Sequence, residues 1–106
     1  MASGSPEWKL FDYIARELGY PSGSIDEQEI RERIIGYIRS GIYRINEIAG
    51  ADIDYSEDLA ARTLLKDYCR YENAHAGEDF ETNFLAQLTS LNMKYRVKEI
   101  NNEAES

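Results

Sequence analysis

Residues 56–77 read SEDLAARTLLKDYCRYENAHAG and dominate the fold of this chain. Serine is a favourable helix N-cap, acidic residues suit the positive end of a helix dipole, and glycine suits a helix C-cap. The sequence therefore predicts a helix that begins after Ser56 and ends at Gly77. Its apolar stripe consists of Ala60, Ala61, Leu64, Leu65, Tyr68 and Tyr71.

The rest of the composition indicates one globular domain. The chain has 106 residues, of which 42% are hydrophobic and 30% charged, so it can bury a single core. No apolar run approaches the roughly 20 residues that span a bilayer, and no secretory signal pattern opens the chain. One cysteine excludes an intramolecular disulfide and a multi-cysteine zinc site. We expect a cytoplasmic protein without a membrane partner, with residues 1–5 as a disordered leader.

Two further helices are expected before this stretch. Pro6 is tolerated in a first helical turn, and Gly19 is a suitable C-cap for a helix that begins at Ser5 or Pro6. The second helix begins near Asp26, where Ser24 and Asp26 both have capping-box spacing, and it ends at Gly50. Its stripe is rich in isoleucine and consists of Ile30, Ile34, Ile38, Ile42 or Gly41, Ile45, and Ile48 or Ala49.

A last helix is expected over residues 79–98. Phe80, Phe84, Leu88, Leu91 and Tyr95 step by three or four residues, and Leu85 and Met93 widen the same face. Strand patterns are almost absent, so the predicted fold is all-α, a small antiparallel bundle of about four helices. We expect a single helical domain over residues 6–97, followed by a flexible acidic tail over residues 98–106.

The second helix carries residues that indicate contact on more than one side. Ile35, Tyr37 and Tyr43 fall partly outside its isoleucine stripe. Gly36 and Gly41 each cost up to about 1 kcal/mol relative to alanine in a helix interior. Either a neighbouring helix or subunit approaches these glycines closely, or a long helix simply tolerates them.

Arg70 and His75 form an Arg-x4-His pair, which resembles the active-site motif of small all-helical HEPN ribonucleases. An imidazole can move a proton near neutral pH, and a guanidinium can stabilise a phosphorane. The alternative is a histidine at a helix end, where its charged form interacts favourably with the dipole. The net charge of −8 disfavours an RNA substrate.

Two other residue pairs give little support to a catalytic or metal site. Glu72 and His75 have the Glu-x-x-His spacing of di-iron bundles, which places both on one helix face. A full site needs a second such pair, and the chain has one histidine. Cys69 and His75 are about 240° apart on a helix, so Cys69 is expected to be a small buried hydrophobe. We therefore predict no enzyme activity, no cofactor and no metal.

The third helix carries a family resemblance. Residues 61–73, ARTLLKDYCRYEN, preceded by a long isoleucine-rich helix and a short acidic turn, resemble the head–tail connector (adaptor) proteins of tailed bacteriophages and prophages. Tyr71-Glu72-Asn73 is similar to the end of a Tyr-x-Asn-Arg-like signature, with Ala74 where arginine is common. Residues 78–85 look like the start of the C-terminal helix of the Bacillus-type branch.

This resemblance implies a structural virion component that carries out no reaction. Such adaptors form a ring of about a dozen copies beneath the portal protein, line the DNA channel and bind a stopper or tail-completion protein. The expected location is the host cytoplasm during assembly and then the head–tail junction. DNA would pass without specific binding, which the acidic charge suits. The candidate interface residues are Gly36, Tyr37, Gly41, Tyr43, Tyr71, Asn73, Lys98 and Ile100.

Two other functions remain as alternative hypotheses. One is a helical regulatory module that binds a small protein partner, and the other, more remote, is the HEPN-like ribonuclease.

Overall fold

A computed structural model describes residues 6–20 and 28–105, and every regular element in these two ranges is helical. This confirms the predicted all-α class. The α-helices are α1 (Pro6–Glu17), α2 (Gln28–Ala49), α3 (Leu59–Asn73), α4 (Phe80–Asn83) and α5 (Leu85–Glu105), with a 3₁₀ turn at Gly77–Asp79. The predicted leader, residues 1–5, and the predicted caps Ser24 and Asp26 lie outside the described residues.

The two glycines predicted to end α1 and α2 do so. Gly19 has φ +94° and Gly50 has φ +70°, a left-handed conformation that glycine adopts without steric cost. The amide of Gly50 donates to the carbonyl of Asn46 at 2.8 Å, which closes the last turn of α2.

The predicted start of α3 at Ser56 is wrong by two residues. Asp58 is the N-cap, because its carboxylate accepts from the amide of Ala61 at 3.0 Å. Ser56 instead lies in the preceding turn, where its amide donates to Asp54 Oδ1 at 3.0 Å. Both residues are chemically able to cap a helix, and the contacts of Asp58 with α5 favour the later one.

The predicted end of α3 at Gly77 is also wrong. The helix ends at Asn73, and the left-handed residue beyond it is His75, with φ +60°. The amide of Ala76 reaches back to the carbonyl of Tyr71 at 2.8 Å. Gly77 instead begins the 3₁₀ turn, where its Cα lies beside the side-chain carboxylate of Glu72.

The last predicted helix is broken at its start and longer at its end. Phe84 has φ −115°, which separates α4 from α5. Its ring stacks on Phe80 at 5.0 Å and meets Tyr71 edge-on at 5.5 Å. At the other end α5 continues to Glu105, so residues 98–105 of the predicted tail are helical.

The core lies where α2 packs against α1, α3 and α5. Leu64 and Leu65 are buried as predicted, together with Leu10, Phe11, Ile14, Ile34, Ile38, Ile45, Cys69, Phe80, Leu88 and Leu91. The molecule is thin, with extents of 49 × 34 × 16 Å. Within the described ranges, each helix is too short or too polar to cross a bilayer.

Candidate assembly surface

A buried carboxylate fastens α5 to the beginning of α3. Asp58 Oδ2 accepts from Lys94 Nζ at 2.7 Å and from the Tyr95 hydroxyl at 2.6 Å, while Oδ1 caps α3. Burial alone raises the pKa of Asp58, but the hydrogen bonds from Lys94, Tyr95 and Ala61 outweigh it and lower the pKa to about 2. Burial, and after it the Asp58 carboxylate, raise the pKa of Tyr95 to about 12. The contacts of Asp58 with Lys94 and Tyr95 fix which side of α5 faces the core.

A second set of contacts fixes α5 against the end of α2. The side-chain amide of Asn92 donates to the carbonyl of Ile48 at 2.9 Å. Asn46 accepts from the hydroxyl of Tyr55 at 2.8 Å, which holds the connection between α2 and α3. Burial raises the pKa of Tyr55 above its ordinary range.

With α5 held in this way, it presents apolar residues on two opposite sides. Its inner side carries Leu88 and Leu91, which are buried, and Tyr95, which is half-buried. The outer side carries Leu85, Met93, Val97 and Ile100, which are between 55% and 63% exposed. At about 100° per residue these four side chains lie within an arc of about 120°, centred about 150° from the inner side. We call these four residues the α5 stripe.

The end of α5 extends beyond the core. Residues 96–102 are all exposed, whereas Leu91 and Tyr95 contact other helices. The helical arm, defined as residues 96–105, is about 15 Å long. The arm continues a helix that the packed part of α5 has already nucleated, but residues 96–102 are exposed, and most helical stability in proteins comes from packing.

A groove lies between α3 and α5 on a different side of α5. It has a volume of about 420 Å³. Its lining is mostly apolar or small and includes Ala60, Thr63, Leu64, Phe84, Gln87 and Leu91. We call it the α3–α5 groove. Leu59, the first residue of α3, is exposed.

The predicted interface residues on α2 separate into inner and outer positions. Gly41 is buried, and a Cβ there would lie 2.5 Å from Leu65 Cδ1 and 2.8 Å from Tyr68 Cδ1. The close approach predicted at Gly41 is therefore made by α3 of the same chain. Tyr37 is half-buried against the core. Gly36 is exposed with open space around it, and Tyr43 is 70% exposed.

The other four candidates lie on α3 and α5. Tyr71 is half-buried in the aromatic cluster, and its hydroxyl accepts from Asn83 Nδ2 at 3.0 Å. Asn73 ends α3 and lines a shallow pocket beside Leu18. Lys98 and Ile100 lie on the helical arm, and Lys98 Nζ is 5.2 Å from the centre of the Tyr95 ring. Ile100 is thus the one predicted residue that belongs to the α5 stripe.

His75 does not share a helix with Arg70 or Glu72, the two residues considered as its partners in a catalytic or metal site. Arg70 lies on α3, where its Nη1 donates to Asp67 Oδ1 at 3.1 Å, but His75 lies beyond the helix end. The expectation that Glu72 and His75 share a helix face is wrong for the same reason. Among the described residues, no three His, Cys, Asp or Glu side chains are grouped so as to hold a metal ion. Cys69 is buried as predicted, and burial raises the pKa of its thiol to about 12.

No protein-family model, curated protein or solved structure matches the chain.

Sequence reasoning missed the α5 stripe and the α3–α5 groove. The sequence pattern predicts that Leu85 and Met93 share the face of Leu88, whereas in the structure they lie on the opposite side of α5. A signal was present, because the spacing 85, 93, 97, 100 defines an apolar arc distinct from 84, 88, 91, 95. The groove has no such signal, since it depends on how α3 and α5 are placed together.

Proposed function

We propose that this protein is a head–tail connector (adaptor) of a tailed bacteriophage or prophage. In this role it assembles as a ring of about a dozen copies beneath the portal protein, lines the DNA channel and binds the stopper or tail-completion protein. It acts without catalysis and without a cofactor, in the host cytoplasm during assembly and then at the head–tail junction.

The observation that carries this proposal is the α5 stripe. Four large apolar side chains along one exposed side of a helix form an apolar patch, and the largest such patch on a protein surface is often functional. The stripe continues onto a helical arm that extends beyond the core. A helix with one side in the core and the opposite side apolar and exposed is suited to a subunit whose neighbours complete its packing.

The family resemblance and the helix order support the same proposal. A short helix, α1, precedes the longer α2 and α3, as the resemblance implies. We further propose that α2 and α3 run antiparallel. Gly41 lies eight residues before the end of α2, and Leu65 lies six residues after the start of α3, so their contact is nearly symmetric about the connection.

The charge suits a channel wall. With a net charge of −8, a ring of many copies repels the DNA phosphates on average, so DNA can pass without adhering. The candidate interface residues that remain accessible for contacts between subunits or with the portal are Gly36, Tyr43, Lys98 and Ile100.

The test is co-expression with the portal protein encoded in the same genome, followed by sedimentation and electron microscopy. The proposal predicts rings of this protein attached to portal particles, and portal, capsid and tail genes beside its own gene. The control is the same protein without portal, which is expected to remain smaller than the ring. A chain that stays monomeric with portal present and never sediments with it would refute the connector function.

A further inference from the structure

We propose that Asp58 is a conformational latch for the C-terminal part of α5, residues 92–105. When the latch opens, this part leaves the bundle while the core stays folded. The inference goes beyond the proposed function and does not depend on it. The latch determines the position of Met93, Val97 and Ile100, which are three of the four residues of the α5 stripe.

The two parts of α5 are held against the bundle by different interactions. Leu88 and Leu91, in the first part, are buried in the core. Between residues 92 and 102, Asn92 and Tyr95 are partly buried, and the other residues are exposed. Little apolar surface is therefore buried after Leu91, although such burial is the main favourable contribution to packing. The C-terminal part depends mainly on polar contacts.

The polar contacts of the C-terminal part converge on one atom. Asn92 donates to the carbonyl of Ile48 at 2.9 Å. Lys94 Nζ and the Tyr95 hydroxyl both donate to Asp58 Oδ2, at 2.7 Å and 2.6 Å. Two of these three hydrogen bonds thus end on the same carboxylate oxygen. Because this acceptor is ionised, each of the two is stronger than a bond between neutral groups.

The latch has a buried side and an accessible side. The Asp58 side chain is 7% exposed, and its other oxygen caps α3 through the amide of Ala61. The Lys94 side chain is 42% exposed, so its ammonium group loses little when it returns to water. Lys98 Nζ lies 5.2 Å from the centre of the Tyr95 ring, which couples the first turn of the helical arm to the latch. We therefore expect the latch to open from the α5 side.

Opening of the latch requires less free energy than unfolding of the whole protein. It breaks the contacts of Asn92, Lys94 and Tyr95, and it leaves Leu88 and Leu91 buried. Regions with few buried apolar contacts open locally, at a free energy below that of global unfolding. A helical segment that has lost its packing frays, so we expect residues 92–105 to open together.

Hydrogen exchange followed by NMR in the full-length protein distinguishes local from global opening. Leu65→Ala weakens the core but not the latch, so the amides of Ile38 and Ile45 should exchange about thirtyfold faster or more. The amides of residues 92–95 should stay within about twofold of the wild-type rate, because they open without the core. If Leu65→Ala does not fold, Ile14→Val makes the same comparison at another fully buried site with a smaller loss of stability.

Asp58→Ser weakens the latch itself. Serine still caps a helix but has no second oxygen to bind α5, so exchange at residues 92–95 should become about tenfold faster or more. Asp67→Ser is the matched control, because it removes another buried carboxylate of α3, one that binds Arg70 on its own helix. This control should leave exchange at residues 92–95 within about twofold of the wild-type rate.

Lys94→Met tests whether Asp58 acts through α5. Alone it should accelerate exchange at residues 92–95 less than Asp58→Ser does, because the hydrogen bond from the Tyr95 hydroxyl remains. The Asp58→Ser/Lys94→Met double variant should match Asp58→Ser, because both substitutions remove the same contact.

Three results would overturn the inference. The first is exchange at residues 92–95 that rises together with the core amides in Leu65→Ala, which would mean that α5 detaches only when the whole protein unfolds. The second is an effect of Asp58→Ser no larger than that of Asp67→Ser. The third is a double variant in which the effects of Asp58→Ser and Lys94→Met add. These measurements involve no portal, so their outcome is separate from that of the connector test.

Discussion

At the scale of single residues, two glycines in the same helix have opposite surroundings. A Cβ on Gly41 would meet Leu65 and Tyr68 of α3, whereas nothing lies within 4 Å of a Cβ on Gly36. Helical spacing places Gly41 in line with the buried Ile38 and Ile45 and places Gly36 outside that line. The distance at which α3 approaches Gly41 has no such local signal, because it depends on the placement of α3.

We expect Gly41→Ala to destabilise the protein by about 1–3 kcal/mol, because the added methyl group overpacks the contact between α2 and α3. Gly36→Ala is the matched control and should stabilise by about 0.5–1 kcal/mol through helix propensity. Urea unfolding followed by circular dichroism measures both. Equal stabilisation by the two substitutions would show that α3 does not approach Gly41 as closely as described.

Leucines in α3 offer a similar comparison. Leu65 is fully buried, so Leu65→Ala should lower the free energy of unfolding by about 2–5 kcal/mol. Leu59→Ala makes the same change at an exposed site of the same helix and should stay within about 0.5 kcal/mol of the wild type. The urea midpoints give the comparison. A loss below about 1 kcal/mol at Leu65 would contradict its place in the core.

At the scale of elements, the contact between α3 and α5 depends on one ionised carboxylate. The pKa of Asp58 is about 2 in the folded protein, below its ordinary value of 3.8. A lowered pKa means that the carboxylate stabilises the fold above about pH 4. This contribution is lost as the pH falls from about 4 towards 2, and it amounts to about 2 kcal/mol.

Asp58→Asn isolates this effect, since asparagine keeps the helix cap but carries no charge. The variant should be about 2 kcal/mol less stable than the wild type at pH 7, and the difference should shrink towards pH 2. Urea unfolding of both proteins across this range measures the difference. A gap that stays constant with pH would mean that the ionised form of Asp58 does not hold α5.

The helical arm is the element whose stability depends most on its surroundings. Residues 96–102 are exposed, and most helical stability in proteins comes from packing. In the free protein we expect the amides of the arm to exchange with solvent much faster than those around Leu88 and Leu91. Hydrogen-exchange mass spectrometry measures this directly. Protection of the arm equal to that of the core in a monomer would contradict the description.

The elements also show how far sequence reasoning extends. The all-α class and the burial of Leu64, Leu65 and Cys69 follow from helical periodicity, and the glycine C-caps of α1 and α2 follow from local chemistry. The start of α3 does not, because Ser56 and Asp58 are both good caps and the choice depends on Lys94 and Tyr95, far along the chain. The α5 stripe is not predicted, because Leu85 and Met93 are expected on the face of Leu88 and Ile100 is expected in a flexible tail.

At the scale of the whole molecule, shape and charge act together. The protein is only 16 Å thick in its shortest dimension, so a large part of it lies near a surface. Its net charge of −8 gives these surfaces an average field that repels other anions. Positively charged sites on these surfaces are local, and Arg96 and Lys98 on the arm form one of them.

We therefore expect no measurable binding to duplex DNA, with a dissociation constant weaker than about 10⁻⁴ M at physiological salt. Fluorescence anisotropy with a labelled duplex at two salt concentrations measures this. Arg96→Glu serves as the control variant. Tighter binding that disappears in this variant would contradict the prediction and show that the arm contacts DNA.

The buried thiol of Cys69 has a practical consequence. It is the single cysteine of the chain, it is inaccessible in the folded protein, and its pKa of about 12 leaves it almost entirely protonated at neutral pH. A thiol-specific dye should therefore ignore the native protein and react only with molecules that have unfolded. The wild-type chain thus carries its own reporter of unfolding. Any cysteine placed on its surface can be labelled without first removing the natural one.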